Sequence, residues 1–475
     1  MLGIDVGTTA VKVAAFGLDG ELLATHATAY PTRRPRPGWA EQDADAWWRG
    51  VREGLDAVVG GHKIRSAGIV SQVNTHVLVD EHLNPLTPAI IWQDQRCAAI
   101  ARELDGRFTV QDKLRIWGAP VVLDASFVGS RAEWFARNDR EAWRAARWIL
   151  SPKDFVAAKL TGRVATDPLS GVRVAGADGY LPEAVAVTDG LKEKLPEILP
   201  PEAVLGPVDG LDARLVVGTM DAFGAVFGAA TTRPGRGMIS AGTSLVVAGA
   251  SEVHVPTQGV VTFPPRDGLY VHAGPTQAAG DAVRWWSRTS GLSIPEVFAD
   301  AANGTSTVVF TPYLSGERAP IWDAEARASF LNVSSTTTRA DLSRAVLEGV
   351  AMSGRHVLDA VEQACDRPIP ALAFCGGGAR SDLWAQIFAD VLRRPIQQLK
   401  AHDSAALGAA LLGAVGAGLF PDVETAAEAA VAIRRTFEPG PDPARYEAYT
   451  RVHLALRDIH RWLNQENPPF WRPED

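Results

Sequence analysis

A strand–turn–strand pattern occurs twice in this chain, and it constrains the fold more than any other feature of the sequence. Residues 2–16 run from an apolar segment through a Gly-Thr-Thr turn at 7–9 into a second apolar segment. Residues 238–247 repeat this arrangement around a Gly-Thr-Ser turn at 242–244. Two such hairpins, each opening one half of the chain, predict a duplicated α/β unit.

The length of the chain supports the same division. With 475 residues the chain is too long for a single hydrophobic core, so two domains of about 200 to 250 residues are expected. The segment 231–237 is rich in threonine, arginine, glycine and proline, which is typical of a linker. We therefore divide the chain into an N-terminal domain, residues 1–231, and a C-terminal domain, residues 232–475.

Further elements follow from turn and capping signals. The Asp-Gly pair at 19–20 predicts a turn into a third strand over 21–29. Helices are predicted after the acidic segment 41–45, over 151–161 and over 341–356.

The two repeated turns are candidates for phosphate binding. A turn that carries glycine and two hydroxyl residues exposes backbone N–H groups, and such groups can surround a phosphate. Asp5 precedes the first turn and could hold Mg²⁺ through water, because Mg²⁺ gives up its hydration shell reluctantly. Lys12 either faces the same phosphates or lies on a solvated strand face. The alternative for the whole segment is an ordinary hairpin without a ligand.

A lone carboxylate, Asp221, occupies a second candidate position. An apolar run over 215–217 predicts a strand that stops at Gly218, and a helix of small residues follows, in which Gly224 and Gly228 allow another element to pack closely. Ligand chemistry in α/β proteins is found at such strand-to-helix turns. The alternative is an ordinary helix N-cap, since aspartate is a favoured capping residue.

A polar stripe is predicted on the strand over 66–80. Period-two alternation places Gln72, Asn74 and His76 on one face, and Val73, Thr75 and Val77 on the other. Buried polar groups need partners, so the polar face either lines the cleft of a polyhydroxylated ligand or meets a neighbouring loop.

The segment 90–96 is another apolar run with polar residues at its carboxyl end. Trp92 either stacks on a sugar ring or packs in the core, and Asp94 is a further candidate for contact with the sugar.

In the second half of the chain, residues 371–375 predict a buried strand that leads into three glycines, 376–378, and a helix start. These glycines would let a flat ring and a ribose lie against the backbone, or they form an ordinary helix-initiating turn. Their spacing is not that of a dinucleotide-binding fingerprint.

Charge and cysteine content exclude several classes of function. The formal net charge of −8 argues against nucleic acid or an anionic membrane as a partner. Three cysteines without metal-ligand spacing cannot form a disulfide framework, and the first strand leaves no room for a signal peptide, so a cytoplasmic protein is expected. The uncharged segment 404–420 is marginal for a bilayer in length and composition, and a buried helix is predicted instead.

Taken together, these motifs resemble the FGGY family of ATP-dependent carbohydrate kinases, and among them they are most similar to xylulokinases. The resemblance runs from residue 2 to about residue 449. It depends on five segments in the family's order: 3–9 (GIDVGTT), 39–43 (WAEQD), 313–318 (YLSGER), 376–381 (GGGARS) and 406–410 (ALGAA).

The resemblance implies two actin-like (ribonuclease H-like) domains that enclose ATP and a sugar in a cleft between them, a possible homodimer, and phosphorylation of a ketopentose such as D-xylulose at a terminal hydroxyl. It implies Asp221 as the base and Asp5, with Asp221, as the Mg²⁺-associated carboxylates. The implied nucleotide contacts are Gly7, Thr8, Thr9, Lys12, Gly242, Thr243, Ser244, Gly376, Gly377, Gly378 and Ser381. The implied substrate contacts are Gln72, Val73, Asn74, His76, Trp92, Asp94 and Asp221.

The chain departs from the family pattern at four positions. The sugar-contacting histidine of xylulokinases falls on Asn74, and the asparagine that commonly follows the base is Ala222 here. Arg131 replaces a signature lysine, and Asn332 replaces a signature glycine. The first two lie where the sugar is expected, so a kinase for ribulose, glycerol, a tetritol or a sugar acid stays open, as does a non-catalytic actin-like ATP-binding module.

Overall fold

The computed structural model describes residues 1–118, 120–176, 179–305, 307–440 and 445–464. Within these ranges the strands are β1 Leu2–Val6, β2 Ala10–Phe16, β3 Leu22–Ala29, β4 Glu41–Gln42, β5 Ser66–Ser71, β6 Val77–Val79, β7 Ala89–Ile90, β8 Trp148–Leu150, β9 Ala165–Thr166, β10 Ala175–Gly176, β11 Gly179–Tyr180, β12 Glu197–Ile198, β13 Val204–Pro207, β14 Arg214–Val216, β15 Thr219–Met220, β16 Gly237–Ala241, β17 Leu245–Ser251, β18 Val261–Thr262, β19 Tyr270–Pro275, β20 Val309–Thr311, β21 Ser329–Leu331, β22 Leu372–Cys375, β23 Ile396–Leu399 and β24 Ile433–Phe437.

The helices are α1 Ala44–Val59, α2 Ala98–Asp105, α3 Val110–Trp117, α4 Val128–Asn138, α5 Arg140–Ala145, α6 Pro152–Thr161, α7 Pro182–Val185, α8 Leu191–Lys194, α9 Asp221–Gly228, α10 Gly280–Ser290, α11 Ile294–Ala301, α12 Arg339–Cys365, α13 Asp382–Leu392, α14 Ser404–Gly416, α15 Val423–Ala430 and α16 Arg445–Asn464. A short 3₁₀ helix covers Gly377–Arg380. The predicted helices after the acidic segment, over 151–161 and over 341–356 correspond to α1, α6 and α12 and are confirmed.

Contacts divide the chain into two compact units, each built on one mixed sheet, so the predicted two-domain α/β class is confirmed. The first unit comprises Met1–Gly228 and Asp403–Val431, and the second comprises Ala229–His402 and the described residues from Ala432 onward. The sequence division had assigned residues 403–431 to the C-terminal half. These residues group with the first unit because α14 packs against β1, β5 and α9.

The two main sheets share a pattern of strand pairs, as the repeated hairpin predicts. In the first unit, β1 pairs antiparallel with β2 and parallel with β5, and the strand order is β13-β14-β5-β1-β2-β3. In the second unit, β16 pairs antiparallel with β17 and parallel with β22, and the order is β18-β19-β17-β16-β22-β23-β24. Both predicted strand–turn–strand segments are therefore confirmed.

Helices cover the sheets and form the cores. In the first unit, α1 buries Trp47 and Val51 in a core formed with apolar side chains of β1 and β2. Helix α14 packs on the same sheet and against α9. Its approach to α9 is close, because a Cβ atom on Gly408 would lie 1.9 Å from the Gly224 carbonyl oxygen of α9. Glycine at both crossing positions is thus required by the close approach of α9 and α14, as the sequence predicted for Gly224.

The second unit buries its own core, in which α12 and α13 pack together. None of the described helices combines the length and the hydropathy needed to cross a bilayer. The segment 404–420 contains α14, whose residues are mostly buried, so the predicted buried helix is confirmed. The three cysteines are buried, and none of them is in a disulfide.

Candidate active site

Three parallel strands of the first unit end at one sheet edge and place the candidate residues there. Val6, the last residue of β1, is the register partner of Ser71 at the end of β5, and Ser71 is in turn the partner of Met220 in β15. The turn 7–9, the segment 72–76 and Asp221 therefore all begin at this edge. Such an edge, at the carboxyl ends of the strands, is where open α/β sheets bind ligands.

The turn 7–9 is held by side chains from several elements. The Gly7 carbonyl accepts hydrogen bonds from the Tyr30 hydroxyl and from Gln72 Nε2 (3.3 Å). The Thr8 carbonyl accepts from Gln42 Nε2 (2.7 Å), and Gln72 Nε2 also donates to Gln42 Oε1 (2.9 Å). Because both carbonyls are occupied, the turn is fixed with its opposite side available to a ligand.

The other side of the turn 7–9 carries backbone N–H groups that can donate hydrogen bonds to a ligand. Within the part of the chain that the structure describes, the backbone N–H groups of Thr8 and Thr9 form no hydrogen bond with protein. Thr9 is exposed and Thr8 is half-buried. Two adjacent unbonded N–H groups flanked by hydroxyls suit a phosphate, because consecutive backbone donors form an anion-binding concavity.

Asp221 is the first residue of α9. Gly218 takes φ +72° and a Cβ atom there would lie 1.7 Å from the Ile69 carbonyl oxygen, so only glycine lets the chain pass β5 and turn into this helix. The Asp221 side chain is half-buried, and its Oδ1 accepts a hydrogen bond from the Ala222 N–H (2.7 Å). Burial raises the pKa of Asp221 to about 6, although the Ala222 hydrogen bond and the charge of Lys12 oppose the rise.

A second carboxylate, Asp5, lies buried at the same edge. Burial and the neighbouring Asp403 carboxylate, with a smaller contribution from Asp221, raise the pKa of Asp5 to about 8. Lys12 Nζ lies 3.9 Å from Asp5 Oδ2 and 2.8 Å from Asp403 Oδ2. The structure therefore places Lys12 beside the candidate carboxylates rather than on an isolated solvated face, and it adds Asp403, which the sequence analysis missed.

The surroundings of Asp5 fit a hydrated cation. Asp5 Oδ1 is buried and has no hydrogen-bond partner in the protein, and such an oxygen would accept hydrogen bonds from water bound to Mg²⁺. Among the described residues no group of three or more histidine, cysteine, aspartate or glutamate side chains is placed to hold an ion directly. Asp5 and Asp221 thus fit an outer-sphere role, in which water and substrate oxygens supply most of the ligands.

A buried ion-pair network contacts β15, the strand that precedes Asp221. Lys153 Nζ contacts Asp154 Oδ1 at 2.6 Å and Asp167 Oδ1 at 3.1 Å, and all three side chains are buried. Burial lowers the pKa of Lys153, but the two carboxylates raise it by more, so the net pKa lies above the usual value. Asp167 Oδ2 also accepts the hydroxyl of Thr219 (2.7 Å), two residues before Asp221. The network therefore fixes the backbone that presents the candidate base.

The predicted strand over 66–80 is interrupted at 72–76, where the prediction is wrong; β5 covers Ser66–Ser71 and β6 covers Val77–Val79. Strand β5 ends at Ser71, where its neighbour β1 also ends, and Asn74 takes φ +52°, which turns the chain before β6. Side chains therefore do not alternate between two faces over 72–76. Thr75, predicted to lie opposite Gln72, donates its hydroxyl to Gln72 Oε1 (3.3 Å). Val73 and Asn74 are half-buried within this turn.

Arg131 organises this turn and was not identified as functional from the sequence. Its guanidinium is fully buried and donates to the carbonyl oxygens of Asn74, Ile90 (2.8 Å) and Ile91 (2.7 Å). Its Nη1 also lies 2.8 Å from His76 Nδ1. Burial and the Arg131 charge hold the pKa of His76 well below its usual value, so the ring is neutral, accepts at Nδ1 and keeps its proton on Nε2.

The remaining sugar candidates follow β7. Trp92 is half-buried rather than packed in the core, and its indole Nε1 donates to Thr8 Oγ1 (3.1 Å). Asp94 is buried, and both of its oxygens accept hydrogen bonds, from the Ala40 N–H (2.5 Å) and from the backbone and guanidinium of Arg96. A sugar would have to displace one of these donors to reach Asp94. Its role as a substrate contact stays a prediction.

The second unit assembles the other predicted nucleotide residues. The Gly280 N–H, at the start of α10, donates to the Gly242 carbonyl (3.0 Å), and the Ala279 N–H donates to the Thr243 carbonyl (2.9 Å). Among the described residues, the N–H groups of the second and third residues of the turn 242–244 form no hydrogen bond with protein. This turn therefore repeats the arrangement of the turn 7–9.

The glycines after β22 lie against the end of β16. Gly376 takes φ +83°, and a Cβ atom there would lie 2.8 Å from the Ala241 carbonyl oxygen. A Cβ atom on Gly378 would lie 2.7 Å from the Trp384 ring, whereas one on Gly377 would meet nothing within 4 Å. The first and third glycines are required by packing, and the middle one leaves open space.

The two nucleotide candidates of the second unit share one sheet edge. Ser240 is the register partner of Cys375, so the turns 242–244 and 376–378 follow adjacent parallel strands. Ser381 accepts the Trp384 N–H (3.1 Å) as the N-cap of α13, and its hydroxyl proton is still available to a ligand.

Comparison with known proteins identifies the family of this chain. The model of the N-terminal domain of the FGGY family of carbohydrate kinases matches residues 1–211, and that of the C-terminal domain matches residues 237–417. The chain belongs to the FGGY family of carbohydrate kinases. It is therefore a phosphotransferase of a family that uses ATP and a sugar substrate.

Similar individual proteins carry kinase names. A xylulose kinase from Klebsiella pneumoniae is 30% identical over 439 residues, which cover 87% of this chain and 89% of that protein. A xylulose kinase from Escherichia coli K12 is 28% identical, with 97% and 99% covered. The crystal structure of a xyloylose kinase from Brucella ovis, at 28% identity, matches with a TM-score of 0.83 and covers 98% of each chain.

Proposed function

We propose that this protein transfers the γ-phosphate of ATP to a terminal hydroxyl of a ketopentose such as D-xylulose. The observation that carries the proposal is the sheet edge of the first unit, where Asp221 and the turn 7–9 begin at register-paired strand ends. Similarity to xylulose kinases at 28 to 30% identity supports the substrate class. A cytoplasmic location, expected from the cysteine content, and a homodimer, which the resemblance to the family suggests, are part of this proposal.

Asp221 is the proposed base. Phosphoryl transfer depends mainly on positioning and on neutralisation of charge, and a carboxylate that accepts the proton of the attacking hydroxyl completes the requirement. Its half-buried side chain has one oxygen fixed by the Ala222 N–H. The other oxygen is then oriented to accept the sugar hydroxyl proton.

The phosphates are assigned to the repeated turns. The N–H groups and hydroxyls of Thr8 and Thr9 donate to the transferred phosphate, and those of Thr243 and Ser244 donate to the phosphates of the nucleotide. The open space at Gly377 receives the adenosine. Mg²⁺, held through water by Asp5 and Asp221, would neutralise phosphate charge, and Lys12 would add a cation at the same edge.

Specific residues favour a substrate other than D-xylulose as the second candidate. Asn74 and Ala222 depart from the xylulokinase pattern at positions assigned to the sugar, whereas neutral His76, held by Arg131, offers an Nε2–H donor close to Asn74. A different set of donors selects a different set of hydroxyls, because a site built to hydrogen-bond one hydroxyl rejects an analogue that lacks it. Ribulose, a polyol or a sugar acid is thus the alternative substrate.

A substrate panel tests the proposal. We expect ADP release, measured by an assay coupled to NADH oxidation, to give its highest kcat/KM with D-xylulose. Ribulose, glycerol, erythritol and gluconate should be poorer by at least about tenfold, the effect expected of one missing hydrogen bond. A higher kcat/KM with ribulose, gluconate or a polyol would replace D-xylulose with that substrate.

The proposed base also predicts a pH profile. Asp221 accepts a proton only as a carboxylate, and burial raises its pKa to about 6, so protonation of Asp221 should lower kcat/KM as pH drops through about 6. The residual kcat/KM of Asp221→Asn should not show this fall below about pH 6. A wild-type profile that stays flat down to pH 5 would assign proton transfer to another group.

A further inference from the structure

The indole of Trp92 forms a hydrogen bond with the phosphate-binding turn. Trp92 Nε1 donates to Thr8 Oγ1 at 3.1 Å, while the Trp92 backbone N–H donates to Thr75 Oγ1 at 3.2 Å. The tryptophan thus bridges two segments assigned to different substrates, the turn 7–9 and the turn 72–76. A residue that only stacked on a sugar ring would need neither hydrogen bond.

The bond determines where the Thr8 hydroxyl proton can point. A threonine hydroxyl has one proton and two acceptor lone pairs. Because the Trp92 N–H occupies a lone pair of Thr8 Oγ1, the proton of this hydroxyl must point away from the indole. The Thr8 carbonyl is fixed independently by Gln42 Nε2 at 2.7 Å, so the residue is anchored on both its backbone and its side chain.

The same contacts form a continuous path between the two turns. The backbone N–H of Trp92 donates to Thr75 Oγ1, and the Thr75 hydroxyl in turn donates to Gln72 Oε1 (3.3 Å). Gln72 Nε2 then donates to the Gly7 carbonyl (3.3 Å), next to Thr8. The geometry of the turn 72–76 is thereby linked to the geometry of the phosphate turn at two points.

We infer that Trp92 is a positioning residue for phosphate binding, whose indole N–H orients the Thr8 hydroxyl as a donor to the phosphate. The inference rests on the proposed function, because it takes the turn 7–9 as the phosphate site. It adds a role for the hydrogen-bond donor of Trp92 that is separate from any contact between its ring and the sugar.

A double-mutant cycle tests the inference. Trp92→Phe removes the N–H and keeps an aromatic ring, and Thr8→Val removes the hydroxyl at similar volume. We expect each variant to lower kcat by about fivefold to tenfold, in line with the loss of one hydrogen bond, and to change the KM for the sugar by less than twofold. The double variant should be no slower than Thr8→Val alone, because the two changes remove the same interaction.

Two further variants separate positioning from structure. Trp92→Phe in a Thr8→Ser background should still lower kcat, since serine keeps the hydroxyl. Trp48→Phe, at a half-buried tryptophan of α1, is the matched control and should leave kcat and the thermal midpoint unchanged. Multiplicative losses in the double variant, or a Trp92→Phe effect confined to the KM for the sugar, would overturn the inference.

A binding measurement keeps the inference separate from the proposed function. The same cycle, measured by calorimetry as the affinity for the non-hydrolysable analogue AMP-PNP with Mg²⁺, needs no sugar. Trp92→Phe and Thr8→Val should each weaken binding by about fivefold, without further loss in the double variant. If no sugar in the panel is phosphorylated, the proposed function fails. If the affinities show no coupling, the inference fails whatever the substrate is.

Discussion

Replacement of Asp221 by asparagine is expected to lower kcat by about 10² to 10⁴, the usual contribution of a general base, while the affinity for ATP changes by less than about threefold. Asparagine has nearly the same shape and can still accept the Ala222 N–H through its amide oxygen, but it cannot take a proton from the sugar hydroxyl. Steady-state kinetics with the best substrate of the panel and calorimetric titration with ATP measure the two quantities.

Asp212→Asn provides the matched control, because Asp212 is an exposed carboxylate of the same unit. It should retain wild-type kcat. If Asp221→Asn turned over at more than about one third of the wild-type rate, Asp221 would not be the base.

The second large effect is expected from Lys153→Met. Methionine would leave the buried carboxylates of Asp154 and Asp167 without their cation, and breaking a buried ion pair in this way costs about 3 to 5 kcal/mol. Urea unfolding should report this loss in the free energy of unfolding. Asp167 also accepts the hydroxyl of Thr219, two residues before Asp221. Because a shift of Asp167 would disturb the position of Asp221, we expect kcat to fall as well.

Lys159→Met is the control on the same helix, since Lys159 is half-buried and contacts only the face of Phe155 at 5.4 Å among its described ring and ion-pair interactions. It should change stability by less than about 0.5 kcal/mol. A compensating variant, Lys153→Met with Asp154→Asn and Asp167→Asn, should recover part of the loss because it removes the unpaired charges. Equal stability of Lys153→Met and the wild type would show that the network is not a stabilising one.

The sequence predicted those parts of the fold that depend on local signals. The two hairpins, the glycine turns and the caps of α1 and α6 follow from residue types within a few positions of one another, and the structure contains them. The resemblance to a known family added the role of Asp221 as the base, which spacing alone does not give.

Alternation failed at residues 72–76 for a physical reason. The pattern of polar and apolar residues continues past Ser71, but β5 can pair only as far as its neighbour β1 extends. Beyond that point the left-handed backbone of Asn74 turns the chain, and asparagine is among the few residues besides glycine that adopt this conformation readily. A polar and apolar alternation that continues beyond the end of the neighbouring strand is therefore weak evidence for a longer strand.

The supporting residues of the site could not be located from the sequence because their partners are distant in the chain. Asp403 is the N-cap of α14, and it reaches Lys12 only because this helix packs within the first unit. Arg131 reaches residues more than 40 positions earlier, and Lys153 pairs with Asp167 across a loop. One signal was present: Arg131 stands where the family carries a lysine, so a cation at this position could have been identified as functional.

The central claim is that the sheet edge of the first unit activates a sugar hydroxyl for phosphoryl transfer. ADP release by the wild-type protein, measured with ATP and Mg²⁺ in the presence and absence of a ketopentose, tests it most directly. The account predicts that the sugar raises the rate at least about a hundredfold, with one sugar phosphate formed for each ADP. A rate that is the same with and without every sugar of the panel would contradict it.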